Sequence, residues 1–182
     1  MRPRRRADGV SGRQARADEF VAYVDARRPY LRRVAYLVCG DWHAAEDLVQ
    51  TALIKLYAAW PRIHTDGAED AYVRRIIVRA HLDETRRPWR RERLGLDGVD
   101  AAAPEALSLE DSDALVTALK GLPERQRATV VLRYWCGLSV EETADDLGCT
   151  TGTVKSQTAR AMAGLRTALS TDDVTTTERR SR

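Results

Sequence analysis

An amphipathic pattern between Asp41 and Pro61 is the strongest structural signal in the sequence. Apolar side chains recur there at every third or fourth position and share one helix face: Ala45, Leu48, Val49, Ala52, Leu53, Leu56 and Trp60. Because an α-helix repeats about every 3.6 residues, this spacing predicts a helix that packs one side against neighbouring helices. Asp41 is expected to cap its start and Pro61 to end it.

Helical periodicity continues on both sides of this segment. Asp18 can cap an earlier helix, in which Pro29 predicts a kink or break near Arg28 because proline lacks a backbone donor. A later helical stretch runs from about Glu69 to Arg86. No segment shows the alternation of apolar and polar residues that is typical of a strand. The first half of the chain is therefore predicted to be a compact all-α bundle.

The periodic pattern stops between residues 90 and 107. Gly, Pro and three consecutive Ala replace it, and the segment Leu96–Asp113 holds six acidic residues and no Lys or Arg. This composition is typical of a flexible acidic linker between two small helical domains. The predicted organisation is a disordered basic arm (1–17), an N-terminal domain (18–89), the linker (90–107), a C-terminal domain (108–169) and a polar tail (170–182).

The C-terminal half contains the pattern of a helix-turn-helix. Ser139 stands three residues before Glu142, which is the spacing of a capping box at a helix start. Gly148 follows the short helix and permits the positive φ that a sharp turn requires. Thr150 or Thr151 is expected to cap the second helix, in which Val154 would be the buried anchor.

The second helix of this motif carries small and basic residues where it is expected to face outward: Thr151, Gly152, Lys155, Ser156, Ala159 and Arg160. Small side chains allow a helix to enter a DNA major groove, and N–H groups and hydroxyls at a helix start can hold phosphates. The alternative is a plain helical hairpin with an exposed polar helix. The combination of capping box, glycine turn and anchoring valine favours DNA binding.

Charge is unevenly distributed along the chain, although its net value is only +3. Residues 1–16 hold six Arg against one Asp, and the segment Tyr72–Arg93 holds eight Arg. Basic segments separated by an acidic one suggest surfaces for a polyanion. Solvated helix faces and a tail are the alternative explanation.

The sequence offers little support for catalysis or a metal site. The three histidines form neither an HExxH motif nor a His/Cys cluster, and the three cysteines include no CxxC pair. We therefore expect a non-enzymatic protein without metal or cofactor, in a reducing cytoplasm. No apolar run approaches the roughly 18 residues of a membrane span, so no membrane insertion is expected.

Three stretches resemble a known family, the sigma-70 factors of the extracytoplasmic-function (ECF) group. The C-terminal DNA-binding domain of that family is similar to LPERQRATVVLRYWCGLSVEETADDLGCTTGTVKSQTARAMAGLR, its polymerase clamp-docking helix to AAEDLVQTALIKLYAAW, and its −10 reading helix to AYVRRIIVRAHLDETRR. Together the stretches cover roughly Phe20 to Leu169 in family order. GTVKSQTARA is similar to the SigE-like subgroup common in actinobacteria.

The resemblance implies an alternative sigma factor that binds core RNA polymerase and promoter DNA. It assigns polymerase binding to Asp47, Gln50 and Thr51. It assigns the −10 surface to Arg74, Arg75, Arg79, Arg86 and Arg87, and the −35 helix to Thr151, Thr153, Lys155, Ser156, Gln157 and Arg160. Many relatives have Asn where this chain has Arg79, and Arg where it has Gln157. The loop Ile63–Asp70 matches the place where the family captures a flipped base.

Two other functions remain open at this point. A stand-alone helix-turn-helix transcriptional regulator would need a dimerisation face and a ligand pocket, whereas the N-terminal bundle ends in a basic helix. A purely protein-binding module is disfavoured by two separate Arg-bearing helices. An anti-sigma factor is a further candidate partner of the sigma factor that the resemblance implies.

Overall fold

A computed structural model describes the backbone of residues 5–64, 67–85 and 112–180, and side chains within 12–64, 67–85 and 114–170. The regular structure in these ranges is helical, which confirms the predicted all-α class. In chain order the helices are α1 (Arg5–Cys39), α2 (Trp42–Ile63), α3 (Glu69–Thr85), α4 (Ser112–Lys120), α5 (Glu124–Val130), α6 (Val140–Leu147) and α7 (Thr151–Arg180). One π-helical turn, Val131–Trp135, continues α5.

Helix α2 is formed by the amphipathic pattern described above. Asp41 caps it by accepting a hydrogen bond from the backbone N–H of Ala44 at 2.7 Å. Six of the seven residues in the predicted apolar stripe are buried, and Leu53 is half-buried. The helix ends at Ile63, two residues beyond the predicted stop at Pro61. A proline in the last turn is tolerated there because it removes a single hydrogen bond close to the helix end.

Helix α1 differs from the prediction at Pro29. It runs through Pro29 without the expected break, because packing holds it on both sides of the proline. Upstream, Phe20 and Tyr23 contact the ring of Trp60 at 5.2 and 5.5 Å between centroids, and downstream Leu31 is fully buried. Such tertiary packing outweighs the local cost of a proline.

The two chain ends are also more regular than predicted. Helix α1 begins at Arg5, so most of the segment 1–17 is helical rather than disordered. Hydrogen bonds at helical spacing support it, from Gln14 to Asp18 and from Arg16 to the carbonyl of Gly12. Helix α7 likewise extends to Arg180, through the segment that was predicted to be a frayed tail. The sequence after Gly164 contains no Gly or Pro that would interrupt a helix. Helix propagation from a well-packed turn costs little, which accounts for both extensions.

The helix-turn-helix is present as predicted. Both halves of the capping box form: the N–H of Glu142 donates to Ser139 Oγ at 3.1 Å, and the N–H of Ser139 donates to Glu142 Oε2 at 2.7 Å. Gly148 ends α6 with φ at +61°. Val154, in the first turn of α7, is completely buried in the cluster formed with the preceding helices.

The two halves of the chain share one of the two hydrophobic clusters. The first cluster lies between α1, α2 and α3 and includes Leu56 and Ile77. The second combines α4 to α7 with apolar residues of α1 and α3: Leu37, Val38, Val78 and Leu82. The C-terminal helices therefore pack directly on the N-terminal bundle. The linker predicted at 90–107 lies outside the described residues.

Candidate nucleic-acid interfaces

The first turns of α7 form an exposed polar surface. The burial of Val154 fixes the rotation of the helix, and as a consequence the predicted outward residues Thr151, Gly152, Lys155, Ser156, Ala159 and Arg160 are all exposed. Thr153 and Gln157 flank this surface and are half-buried. We call these eight residues the α7 front.

Hydroxyl groups organise the start of the α7 front. Thr150 Oγ1 accepts a hydrogen bond from the N–H of Thr153 at 3.2 Å and lies 2.9 Å from the Thr153 hydroxyl, so Thr150 caps the helix. Ser156 donates to the carbonyl of Thr153 at 2.9 Å. The side chains that remain directed to solvent include two cations, Lys155 and Arg160. An exposed helix start with two cations and small neighbours is suited to bind phosphate and to approach base edges.

Three of the five arginines predicted for the −10 surface lie together on α3. Their guanidinium groups contact the end of α6, although Arg79 is exposed and Arg75 keeps 43% of its side chain exposed. Arg74 Nε lies 2.7 Å from Asp146 Oδ2, and Arg75 Nε lies 3.3 Å from Asp146 Oδ1. Arg79 donates to the backbone carbonyls of Asp145 and Asp146 at 2.6 and 3.0 Å. Arg86 and Arg87 lie outside the described residues.

Asp146 was not predicted as a partner of these arginines. Its side chain is only 2% exposed, whereas its neighbour Asp145 faces solvent. The signal in the sequence was weak. Adjacent Asp residues on a helix point in different directions, but nothing in the sequence shows which of the two is buried. The contacts also span 72 and 71 residues of sequence for Arg74 and Arg75.

The predicted polymerase-binding residues lie on the exposed side of α2. Asp47, Gln50 and Thr51 all face solvent, opposite the buried stripe. Two large apolar side chains extend the same face towards the C-terminus: Ile54 is 71% exposed and Tyr57 is 59% exposed. They were not among the predicted site residues, although Ile54 lies four residues after Gln50 and Tyr57 lies three residues after Ile54, which is the spacing of neighbours on one helix face. We call these five residues the α2 face.

Aromatic and charged contacts hold both described ends of the loop between α2 and α3. His64 stacks on Trp60 with 4.5 Å between ring centroids, and its Nδ1 lies 2.5 Å from Glu69 Oε1. Asp70 accepts hydrogen bonds from the Tyr23 hydroxyl and from Arg27 Nε, both at 2.9 Å. Burial, reinforced by the Asp70 carboxylate, raises the pKa of Tyr23, so its hydroxyl remains a donor.

A buried arginine that the sequence analysis also missed joins the two halves of the chain. Arg127 of α5 is 7% exposed and donates from Nε to the carbonyl of Val38 at 2.7 Å. Burial lowers the pKa of Arg127, while the carbonyl end of α1 offers the negative end of a helix dipole. This contact positions α5 against the end of α1.

The cysteines do not resemble nucleophiles or metal ligands. Burial raises the pKa of Cys39 to about 11 and also raises the pKa of Cys136 and Cys149, so the thiols stay protonated at neutral pH. Within the part of the chain that the structure describes, no group of three or more His, Cys, Asp or Glu side chains could hold a metal ion. No described helix combines the length and apolarity needed to cross a bilayer.

Family models of known proteins match both halves of the chain. The sigma-70 region 2 model matches residues 23–91, and the sigma-70 region 4 model matches residues 112–165. The chain is 39% identical over 163 residues to the RNA polymerase sigma-E factor of Streptomyces avermitilis, covering 86% of this chain and 88% of that protein. The chain belongs to the sigma-70 family of RNA polymerase sigma factors.

Further relatives place the sigma factor in the ECF group. It is 36% identical over 135 residues to the ECF sigma factor SigM of Mycobacterium tuberculosis, covering 74% of this chain and 69% of that protein. Its structure is similar to that of the sigma factor RpoE from Bartonella quintana, solved in complex with the anti-sigma factor NepR. The TM-score is 0.68 at 28% identity, over 85% of this chain and 98% of the other.

These findings confirm the family, the ECF group and the likeness to actinobacterial sigma-E factors. The protein is an ECF sigma factor that directs RNA polymerase to promoters, and it is not itself an enzyme. Region 2 corresponds to the bundle of α1 to α3, and region 4 corresponds to α4 to α7. The presence of both regions excludes the stand-alone regulator considered above.

Proposed function

We propose that the sigma factor recognises the −35 promoter element through the α7 front. The observation that supports this assignment is the burial of Val154 together with the exposure of Lys155, Ser156 and Arg160. Lys155 and Arg160 would bind phosphates and set the register of the helix, while Ser156 and Gln157 would contact base edges. Thr151 and Thr153 would add hydroxyl contacts to the backbone.

We propose that the arginines of α3 contact the DNA backbone of the −10 element. Arg74, Arg75 and Arg79 cluster within reach of one carboxylate and two carbonyl oxygens, which shows that their donors converge on one region. A phosphate presents similar acceptor oxygens. By the family resemblance, Arg86 and Arg87 would extend this basic surface.

We propose that core RNA polymerase binds the α2 face. Asp47, Gln50 and Thr51 supply polar contacts, and the exposed Ile54 and Tyr57 supply apolar area next to them. Apolar side chains of this size are enriched at the centres of protein interfaces, with polar residues around them. The mixed character of the α2 face therefore favours a protein partner over DNA.

We also propose a cytoplasmic location and an anti-sigma factor as a regulatory partner. Work on promoters and polymerase requires the cytoplasm, and three thiols without a disulfide suit a reducing compartment. The structural likeness to RpoE, solved with its anti-sigma factor NepR, supports a partner of the same kind.

Reconstituted transcription tests the −35 assignment. Core polymerase is combined with the wild-type chain, with a Lys155→Ala/Arg160→Ala double variant, or with Arg166→Ala. Arg166 is a matched control because it is exposed on the same helix but about 9 Å beyond Arg160 and on another side. We expect transcription to fall at least tenfold for the double variant. The slope of promoter binding against salt concentration should also decrease by the amount expected for the loss of about two phosphate contacts. Equal transcription by the double variant and the control would overturn the assignment.

A further inference from the structure

The start of α1 is a basic segment to which none of the proposed surfaces assigns a role. Residues 1–16 hold six Arg and a single acid, Asp8. The segment precedes residues 23–91, which match the sigma-70 region 2 model. Helix α1 begins at Arg5, so most of the basic segment is continuous with a helix of the bundle. Its arginines therefore occupy fixed angular positions about the axis of α1.

The four arginine positions in this helical segment share one face of α1. Each residue of an α-helix turns by about 100°, so positions 5, 6, 13 and 16 fall within one arc of about 100°. Gly9 is the fifth position in that arc, so the face contains no acidic and no large apolar residue. We call Arg5, Arg6, Arg13 and Arg16 the α1 stripe. A face of this composition offers nothing for burial in an apolar core, which favours a charged partner.

The α1 stripe continues the side of α1 that packs on the rest of the bundle. Phe20 falls within the same arc of the helix and contacts the ring of Trp60 in α2, with 5.2 Å between centroids. Arg27 also falls within it and donates from Nε to Asp70, at the start of α3, at 2.9 Å. Residues 13–16 are exposed, so α1 projects past the bundle at this end. The stripe therefore lies on the α2 and α3 side of the helix, beyond the point where those two helices are joined.

The α1 stripe and the α3 arginines follow one another along the molecule. Arg27 contacts Asp70 at the start of α3, and residues farther along both helices meet again in the shared hydrophobic cluster, so α1 and α3 run in the same direction. At 1.5 Å per residue, the distance along the helices from Arg74 is about 22 Å to Arg16 and about 39 Å to Arg5. The stripe thus extends the proposed −10 surface beyond the start of α3.

The chemistry of the stripe matches a phosphate backbone. Guanidinium groups bind phosphate oxygens through several donors at once, and blocks of like charge at a chain start are typical nucleic-acid contacts. Arg16 uses Nε to bind the carbonyl of Gly12 at 3.2 Å, which leaves the other donors of its guanidinium for an acceptor outside the helix. Because DNA rises about 3.4 Å per base pair, the stripe would contact phosphates about 6 to 11 base pairs from those bound by α3.

We infer that the α1 stripe binds the phosphate backbone of promoter DNA next to the −10 element. The inference rests on the proposed −10 role of the α3 arginines, which places the DNA on this side of the bundle. Phosphates carry no sequence information, so the stripe adds affinity for every promoter equally and leaves base preference to the other surfaces.

Two variants of the full-length chain test the α1 stripe. Arg13→Gln/Arg16→Gln removes two of its cations. The matched control, Arg13→Gln/Gln14→Arg/Ala15→Arg/Arg16→Ala, keeps composition and net charge but moves both cations about 100° around the helix, off the stripe. Each is combined with core polymerase, and promoter affinity is measured at several salt concentrations, with circular dichroism to check helix content.

We expect Arg13→Gln/Arg16→Gln to lower promoter affinity about tenfold and to reduce the slope of binding against salt concentration by the amount expected for about two phosphate contacts. The control with relocated cations should show a similar loss, because its charges no longer face the DNA. Wild-type affinity of the first variant would overturn the inference. Wild-type affinity of the relocated control alone would also overturn it, since general positive charge would then be sufficient.

The affinity of Arg13→Gln/Arg16→Gln for core polymerase, measured without DNA, distinguishes the two classes of partner. We expect it to equal that of the wild type. If it falls by the same factor as promoter affinity, the α1 stripe binds an acidic surface of the polymerase and the inference is wrong.

A separate result distinguishes failure of the α1 stripe from failure of the proposed −10 surface. An Arg74→Gln/Arg75→Gln double variant is assayed for promoter binding in the same way. If it binds like the wild type, the −10 assignment itself is wrong. If it binds weakly while Arg13→Gln/Arg16→Gln binds like the wild type, the −10 assignment stands and the α1 stripe alone is wrong.

Discussion

Gly148 sets the angle between the two helices of the DNA-reading motif. Its φ of +61° lies in the left-handed region, and a Cβ at this position would come within 3.5 Å of Arg79 Nη2. The space would admit a Cβ at ordinary contact distance, so the positive φ, which glycine adopts without strain, is what favours glycine here. Gly152, four residues later, lies in regular α-helix, where a Cβ would meet only Thr150 Oγ1 at 3.8 Å.

We predict that Gly148→Ala destabilises the protein by about 1–2 kcal/mol, because a left-handed backbone is strained for alanine. Gly152→Ala is the control, and it should stabilise α7 by about 0.5–1 kcal/mol because alanine favours helix. Urea unfolding of the two variants gives both values. Destabilisation of the same size in both would show that the turn at Gly148 is not the cause.

Gln157 stands at the edge of the α7 front, half-buried beside the exposed Ser156. We predict that Gln157→Ala changes discrimination at one −35 base pair by about 1–3 kcal/mol, as loss of a bidentate amide contact would. The measurement is transcription by the holoenzyme on promoters that vary one −35 position at a time, with Arg166→Ala as the reference. A uniform loss on all promoters would assign Gln157 to helix packing instead.

At the scale of the elements, α6 depends on its capping box. The backbone N–H of Ser139 donates to the Glu142 carboxylate and lowers the pKa of Glu142 below its ordinary value of 4.5. A carboxyl group with a lowered folded-state pKa stabilises the protein above its unfolded-state pKa, and this contribution disappears as pH falls through the folded-state value. The helix that carries Asp146 is thus coupled to the protonation of one exposed side chain.

We predict that wild type is more stable than Glu142→Gln at about pH 7 and that this difference shrinks as pH falls towards about 3, because the carboxyl group becomes increasingly protonated. The free energy of unfolding of both proteins, measured in urea at the two pH values, checks this. A difference that does not change with pH would mean that the charge of Glu142 contributes nothing to the cap.

The α2 face is the second element with a specific expectation. We predict that Asp47→Arg lowers affinity for core polymerase about tenfold or more, because it reverses the charge that the α2 face presents to its partner. Asp25→Arg, the same charge reversal on the exposed side of α1, is the control and should bind normally. A pull-down with core polymerase, together with circular dichroism, checks this. Equal affinity of both variants would remove Asp47 from the polymerase interface.

At the scale of the whole molecule, local sequence patterns identified the helices and the helix-turn-helix. Asp41, Ser139 and Val154 were correctly assigned because caps and buried anchors depend on neighbours within about one helical turn. The predicted break at Pro29 was wrong because packing of α1 against Trp60 outweighs the local cost of a proline in a helix. The domain boundaries and the role of each site residue stay predictions.

Contacts between the two halves were beyond sequence reasoning for a physical reason. Asp146 and Arg74 are 72 residues apart, and neither residue type nor spacing names its partner at that distance. Arg127 gave no better signal, because a buried arginine satisfied by backbone carbonyls has the same sequence surroundings as an exposed one. Ile54 and Tyr57 were visible as apolar residues off the stripe, but their exposure required the fold.

The chain is expected to give core RNA polymerase its promoter specificity through two separate DNA contacts. Footprinting of promoter DNA found by transcription from genomic fragments tests this claim most directly. With core polymerase and this chain together, we expect defined start sites and protection of two patches about 25 base pairs apart, near −10 and −35, with neither component sufficient alone. Protection of a single palindromic site by the chain without polymerase, or no start sites beyond those of core enzyme alone, would contradict the account.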